Sequence, residues 1–349
     1  MARLREVSKK MDLVALRDKM TQYLPHSAGF VASARRVKVV LSGHRARVIA
    51  TPRSAFTQGH HSVCPLSMCC ESYVRGFLDV LILVQQKLDN KVYVPEGSRA
   101  SSLIVVTPSC SQEHIQNLTL FWDTKEEDDE EVVRLLKTLP GWDWSAPVYF
   151  RVHPVAIYTK IQELKKNGRL GNEQMWSHKV FDGSLYSLDT SKLQQIKIPE
   201  DFYIDTLRAD DGPTVASNWE YNWTETQKGL ESIISNQPSV AIRKRVLEEN
   251  GVSGPPVRSR LVAWSLLYRH GFLGNTFTIP EYRRRGLGTA VTLAMAETLR
   301  QLDITVRIMA SHTNAASVSY HKSLGFEKQC DIISFIMLPN GKTLQDFIK

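Results

Sequence analysis

Three features of the 349-residue sequence predict an α/β fold built on a mixed β-sheet flanked by helices. Runs rich in β-branched residues, among them "SLIVVT" and "SVAIRKR", read as strands. Paired strands come first and a β-α-β-α-β alternation comes last, which is the order of a mixed sheet. Between them, apolar residues recur every three or four positions after "EYRRRGLGTA" (Leu287, Val291, Met295, Thr298, Leu299, Leu302), the mark of one buried helix face.

Taken from the start, residues 1–25 read as an N-terminal helix, with Leu13, Leu16 and Met20 at helical spacing and Pro25 as its stop. Residues 26–70 show no periodicity and read as a poorly ordered insertion. They hold six Lys/Arg (Arg35, Arg36, Lys38, Arg45, Arg47, Arg53) and no acid, and so supply most of the net charge of +8. No aromatics interleave with those arginines to stack bases, so no nucleic-acid partner is expected. From Glu71 order returns with "YVRGFLDVLILV" and then "SLIVVT". The acidic run in "KEEDDEEVVRLLKTL" reads as a solvated helix start, where negative charge suits the N-terminal dipole. A further helix is expected around "VHPVAIYTKIQELKKNGRL".

A second domain opens near residue 200. Phe202 to Leu207 reads as a strand, and the Asp210–Pro213 turn leads toward a helix ending near Ser235. Then come strands "SVAIRKR", "LVAWSLLY" and "FLGNTFTI", the arginine-glycine turn and its helix, strand "ITVRIMA", a helix, and strand "IISFIML". No internal repeat is legible. No run approaches the roughly 18 apolar residues of a membrane helix, so no membrane partner is expected. "HHSVCPLSMCC" lacks the regular ligand pairs of a metal site, and no metal is expected.

The turn itself carries chemistry. Gly286 and Gly288 fall where a strand gives way to a helix N-terminus, whose first amides lack intrahelical partners and whose dipole is positive. Glycine lets backbone approach a bulky anion. With Arg283, Arg284 and Arg285 alongside, this is a site for phosphate or pyrophosphate. The spacing is neither a three-glycine dinucleotide fingerprint nor a Gly-Lys-Ser/Thr loop.

Arg283-x-x-Gly286-x-Gly288 resembles the coenzyme A loop of the GNAT acyltransferase superfamily. "NAASVSYHKSLGFE" resembles that superfamily's later motif, with Ser317 where alanine is usual and one extra residue before Gly325. Within it, "TIPEYRRRG", "AWSLLYRHG" with Trp264, and "SNWEYNWTETQKGLESIISNQPSVAI" resemble the glycine N-acyltransferase family, as "LPGWDWSAPVYFRV" does its N-terminal domain. The resemblance runs from about residue 71 to 340 and is strongest after 200; the 26–70 segment departs from it. It implies residues 71–199 as a diverged GNAT-like N-terminal domain and 200–349 as the catalytic domain.

The resemblance implies transfer from an acyl-CoA thioester to the amine of glycine or a related small amine. CoA would be held by Arg283, Arg284, Arg285, Gly286, Leu287, Gly288 and Thr289, with Asn314 and Ser317. A backbone N–H near Thr278 and Ile279 would meet the oxyanion, and Tyr320 would protonate the departing thiolate. Aligned without gaps back from Pro280, the family's general-base glutamate falls on Phe272, which cannot accept a proton. His270 lies two residues earlier, on the same face if the strand is regular, and its ordinary pKa suits a base. It also reads as a hairpin-turn residue beside Gly271; a water or an already neutral amine are further options. Acyl-CoA is expected as co-substrate with no permanently bound cofactor, in a monomer of mitochondrial or cytoplasmic location. An acetyl-CoA-dependent N-acetyltransferase of another small amine, or a CoA-binding protein without turnover, remain alternatives.

Overall fold

The computed structural model describes residues 3–7, 14–15, 91–96, 104–107, 115–122, 128–170, 175–245 and 259–347. The insertion expected at 26–70 and the strand-like run from Tyr73 to Val84 lie outside the described residues. Strands β1 (Arg3–Glu6), β2 (Lys91–Glu96), β3 (Ile104–Thr107) and β4 (Gln116–Phe121) form an antiparallel meander. Helix α1 (Asp129–Leu136) crosses to β5 (Val148–Pro154), parallel to β4. Helix α2 (Val155–Lys166) leads to the long strand β6 (Met175–Leu188).

The second half follows the same plan. Strands β7 (Phe202–Asp205), β8 (Ser239–Arg245), β9 (Ser259–Leu267) and β10 (Leu273–Thr278) form a meander. Helices α3 (Gly212–Ser217) and α4 (Gln227–Asn236) interrupt it after β7. Helix α5 (Leu287–Gln301) crosses to β11 (Val306–Ser311), parallel to β10. Helix α6 (Ala315–Ser323) leads to β12 (Phe326–Pro339). The strands make one sheet in the order β1-β2-β3-β4-β5-β12-β6-β11-β10-β9-β8-β7. Each half is thus a meander, a parallel β-α-β crossover and a final helix and strand. The final strands are exchanged: β12 lies on β5, β6 lies on β11, and the two pair with each other from Phe326↔Leu188 to Pro339↔Met175. An architectural repeat is present that the sequence does not display.

The expected fold class is what forms, a mixed sheet flanked by helices. The helix expected over residues 1–25 is corrected at its start. Residues 3–6 are a strand, and the Val7 N–H donates to Val92 O at 2.7 Å. Leu4 and Val7 are buried there; the open edge of β2 offers backbone partners and an apolar face, and that tertiary gain overrides the good helix propensity of Arg3, Leu4, Arg5 and Glu6. Residues 14 and 15 are helical.

Side-chain chemistry accounts for the crossover helices. In α1, Asp128 accepts from the Glu130 N–H at 2.9 Å, Asp129, Glu130 and Glu131 occupy the first turn, and Val132, Val133, Leu135 and Leu136 face inward. Helix α5 buries Val291, Met295 and Leu299 against β8 to β11. Strand β9 is covered on its other face by Leu230 and Ile233 of α4, against Trp264 and Leu266. In the first half the core centres on Phe150 stacked on Phe335, ring centroids 4.5 Å apart.

In the first half the parallel pair is stitched shut. Strands β4 and β5 pair through Leu118↔Phe150, and side chains bridge beyond that point. Thr119 Oγ1 donates to Arg151 O (3.1 Å), and the Leu120 N–H donates to His153 Nε2 (3.0 Å). His153 is fully buried, and burial lowers its pKa from 6.5 to about 3. The unfolded chain binds that proton near pH 6.5, so the neutral imidazole stabilises the fold fully above pH 6.5. That contribution is lost as pH falls from 6.5 toward about 3. Replacing His153 with Gln, which keeps an acceptor but does not titrate, is expected to flatten the acid-side fall of the melting temperature. Identical pH slopes for the two proteins would show that other groups set it.

Candidate functional site

Strand β10 ends at Thr278, a short turn spans Pro280–Tyr282, and α5 begins at Leu287. Two left-handed residues shape the connection, Arg284 at φ 61° and Gly286 at φ 77°. A Cβ on Gly286 would meet nothing within 4 Å, so glycine is required there by backbone conformation rather than by space. No side chain caps α5 and no acid lies in its first turn. Its leading amides therefore face a groove of about 600 Å³ with their positive end open, a ready anion site.

The three arginines take different places. Arg283 and Arg284 line the groove. Arg283 also pins the loop, donating from Nε to Thr278 O (3.0 Å) with its guanidinium over the Phe277 ring. Arg285 does not line the groove; it lies over Tyr282, whose ring also receives Lys244 and Arg260. Gly286, Leu287, Gly288, Thr289, Asn314 and Ser317 all border the groove, Leu287 with its side chain buried in the core beneath.

Strand β10 separates from its parallel neighbour after a single pairing, Leu273↔Ile308. A register shift against β9 falls between Gly274 and Phe277, and Asn275 takes φ 49°. This bulge bends β10 away from β11. The Ile279 N–H donates to Val262 O (2.9 Å), so it is already engaged on the β9 side. Ile279 packs with the Trp264 cluster and does not line the groove, which removes it from the expected donors. Hydrogen-bonded and non-hydrogen-bonded pairs alternate in antiparallel strands. Thr278, paired with Ala263, therefore turns its N–H toward the open gap.

Tyr320, on α6, reaches over the start of α5, its hydroxyl 2.9 Å from Thr292 Oγ1. Burial raises its pKa above the ordinary phenol value against the hydrogen bonds from Thr292 and Thr289, so it is protonated at neutral pH. Asn314 caps α6 by accepting from the Ser317 N–H at 2.9 Å.

A second cavity of about 460 Å³ opens on the far side of β10. Thr276, Phe277 and Asn314 line both hollows, which therefore meet at the splayed strand. The first half supplies Tyr149, Arg151 and Phe181 to this cavity, and the second half Trp219, Tyr268 and His270. Of the two readings of His270, the structure bears out the hairpin turn and not the strand face. It sits in the turn closed by Gly271 N–H to Tyr268 O, with Gly271 at φ 80°, because β10 begins only at Leu273. Burial, then the charges of Arg151 and Arg269, lower its pKa to about 3. Phe272 is buried, its ring 5.4 Å from that of His270.

Sequence reading did not single out Thr276, Phe277, Arg151, Trp219 or Tyr268. Two signals were available: a Gly-Asn step inside an apolar strand marks a bulge, and Arg151 puts a charge inside the strand-like run "VYFRVHP", which is buried throughout. Among the described residues, no group of His, Cys, Asp or Glu could hold a metal ion, and no helix is long and apolar enough to cross a membrane.

The equivalent helix start in the first half is closed to anions. Its first turn carries Asp129, Glu130 and Glu131, and Asp128 occupies the cap. One CoA per chain is therefore expected in calorimetric titration. Gly286→Asp is expected to weaken that binding at least about tenfold relative to Gly286→Asn, because Asn tolerates positive φ and only the charge differs. Equal affinities, or two CoA per chain, would contradict the groove assignment.

The family model described as "FR47-like protein" matches residues 254–333. No curated protein matches the chain. A Drosophila protein of known crystal structure aligns over 97% of this chain and 99% of its own at TM-score 0.63 and 17% identity, which shows a shared fold. A GCN5-related N-acetyltransferase from Kribbella flavida aligns over 78% of this chain and 98% of its own at TM-score 0.47 and 14% identity. A tandem GNAT protein from the clavulanic acid biosynthesis pathway aligns over 76% and 89% at TM-score 0.41 and 12% identity. The segment that matches the FR47-like model contains the groove loop and the Tyr320 helix, and solved structures similar to this chain include GNAT acetyltransferases.

Proposed function

We propose that the protein is an acyl-CoA-dependent N-acyltransferase that transfers the acyl group of a CoA thioester to the amine of glycine or a related small amine. The observation that carries this reading is the meeting of the two hollows at β10, where Thr276, Phe277 and Asn314 border both. A groove built for a pyrophosphate and a cavity of small-molecule size open onto the same strand edge, as transfer between two bound molecules requires. The FR47-like match, over residues 254–333, spans the groove loop and the Tyr320 helix that this reading uses.

In this reading CoA phosphates lie on the first amides of α5, with Arg283 and Arg284 beside them. The thioester carbonyl lies in the gap, where the Thr278 N–H receives the negative charge of the tetrahedral intermediate. The amine attacks from the cavity; a C–N bond forms, the C–S bond breaks, the Tyr320 hydroxyl gives its proton to the departing sulfur, and the surplus proton of the newly bonded nitrogen restores that hydroxyl through water. The ammonium proton is lost to water before attack. His270, with its pKa near 3, is too weak a base to take it and is assigned no proton transfer. A second reading, CoA binding without turnover, draws on Phe272, which is 1% exposed where the resembled family carries its base.

Thiol release from a panel of acyl-CoAs, with and without amines, separates the two readings. Amine-dependent release is expected, rising with pH through the amine's own pKa with no limb near 6.5. Tyr320→Phe should lower kcat about a hundredfold with little change in CoA affinity. Tight CoA binding without any amine-dependent release would favour the second reading.

A further inference from the structure

The inner wall of the cavity concentrates polar atoms in a way its aromatic lining does not require. Glu225 lies between Arg151 and Arg269, 3.5 Å and 3.4 Å from their guanidinium nitrogens, all three side chains at most 5% exposed. Two buried guanidinium groups thus flank one buried carboxylate, and Arg151 also donates to Asn117 Oδ1 (2.8 Å) and Thr224 O (2.9 Å). Glu220 also borders the cavity, but it is exposed and its charge is screened by solvent. Beside this cluster, Tyr268 Oη and His270 Nδ1 are buried without a hydrogen-bond partner. Both residues line the cavity and both are more than nine-tenths buried. Buried polar atoms are nearly always satisfied in folded proteins, so unpaired ones around one cavity point to a ligand.

Backbone distortion holds Arg151 at this wall. Opposite Ser334, strand β5 places two residues, Arg151 and Val152, against one of β12. Val152 takes φ 41° with its N–H donating to Ser334 Oγ at 2.9 Å. Positive φ on a β-branched residue is strained, and such strain gathers at ligand sites. Bulges re-aim side chains, and here the side chain concerned borders the cavity.

We infer that the wall formed by Arg151, Tyr268 and His270 is the subsite for a carboxylate carried by the acceptor amine. The inference rests on the transferase reading and adds the residues that would make the acceptor an amino acid rather than a simple amine. Tyr268 stays protonated, since burial and then Glu225 raise its pKa. His270 stays neutral and can present an N–H. Both can then donate to an anionic oxygen in the field of Arg151, and charge-assisted bonds of that kind are the strong ones.

The test compares matched pairs, glycine with methylamine and phenylalanine with phenethylamine, at equal free-amine concentration with one acyl-CoA. The carboxylated member of each pair is expected to show kcat/KM at least about tenfold higher, and Arg151→Gln to shrink that ratio. Should Arg151→Gln fail to fold, Tyr268→Phe reads the same ratio. Equal rates within each pair would overturn the subsite and leave the transferase reading standing. A ratio untouched in the folded variant would overturn its placement on this wall. Absence of release with every amine, in a protein that binds CoA, would overturn the transferase reading and this inference together.

Discussion

Strands β10 and β11 run parallel yet pair at one position only, Leu273↔Ile308, and the rest of the site depends on that separation. A bulge at Asn275 opens the gap, and Arg283 holds its far end by taking Thr278 O. The freed strand edge turns backbone polar groups toward the gap rather than toward a neighbouring strand. Were the two strands to zip together, the groove over α5 and the cavity behind β10 would no longer meet. The uncapped helix start leaves amides open to an anion, and the splay joins that groove to the second cavity.

The first half shows what the same architecture does without that opening. Its crossover helix begins with four acids, two of them paired with Lys160 and Arg169. Its parallel strands are bridged by Thr119 and by the buried His153. Closed to anions and stitched along its gap, this half contributes walls instead: Tyr149, Arg151 and Phe181 face the cavity of the other half. The exchange of final strands makes this geometry possible, because β12 carries β5 directly to the centre of the sheet.

The local chemistry of the groove was legible in the sequence. Two glycines between a strand and an amphipathic helix have few physical explanations, and Gly286 indeed needs positive φ. The acidic run before Val132 was also readable, because helix dipoles favour that placement. The architectural repeat was not, since topology is kept by patterning while side chains diverge. Residues 3–6 escaped because an open strand edge, distant in sequence, decided their conformation. Of the two readings of His270 the hairpin turn beside Gly271 holds and the strand face does not, because the length of a turn fixes where alternation starts. The basicity of His270 could not be read either, since burial in the folded chain is the main cause and Arg151 comes from a distant part of the chain.

In the proposed transfer, two hollows meeting at one strand edge mean that both substrates are bound when the acyl group moves. Initial rates measured while acyl-CoA and amine are varied together test that claim most directly. Intersecting double-reciprocal lines, with no acylated protein detected by intact mass after incubation with acyl-CoA alone, are the predicted result. Parallel lines with a stoichiometric mass increase of one acyl group would contradict it, because the acyl group would then pass through the protein instead of crossing the gap.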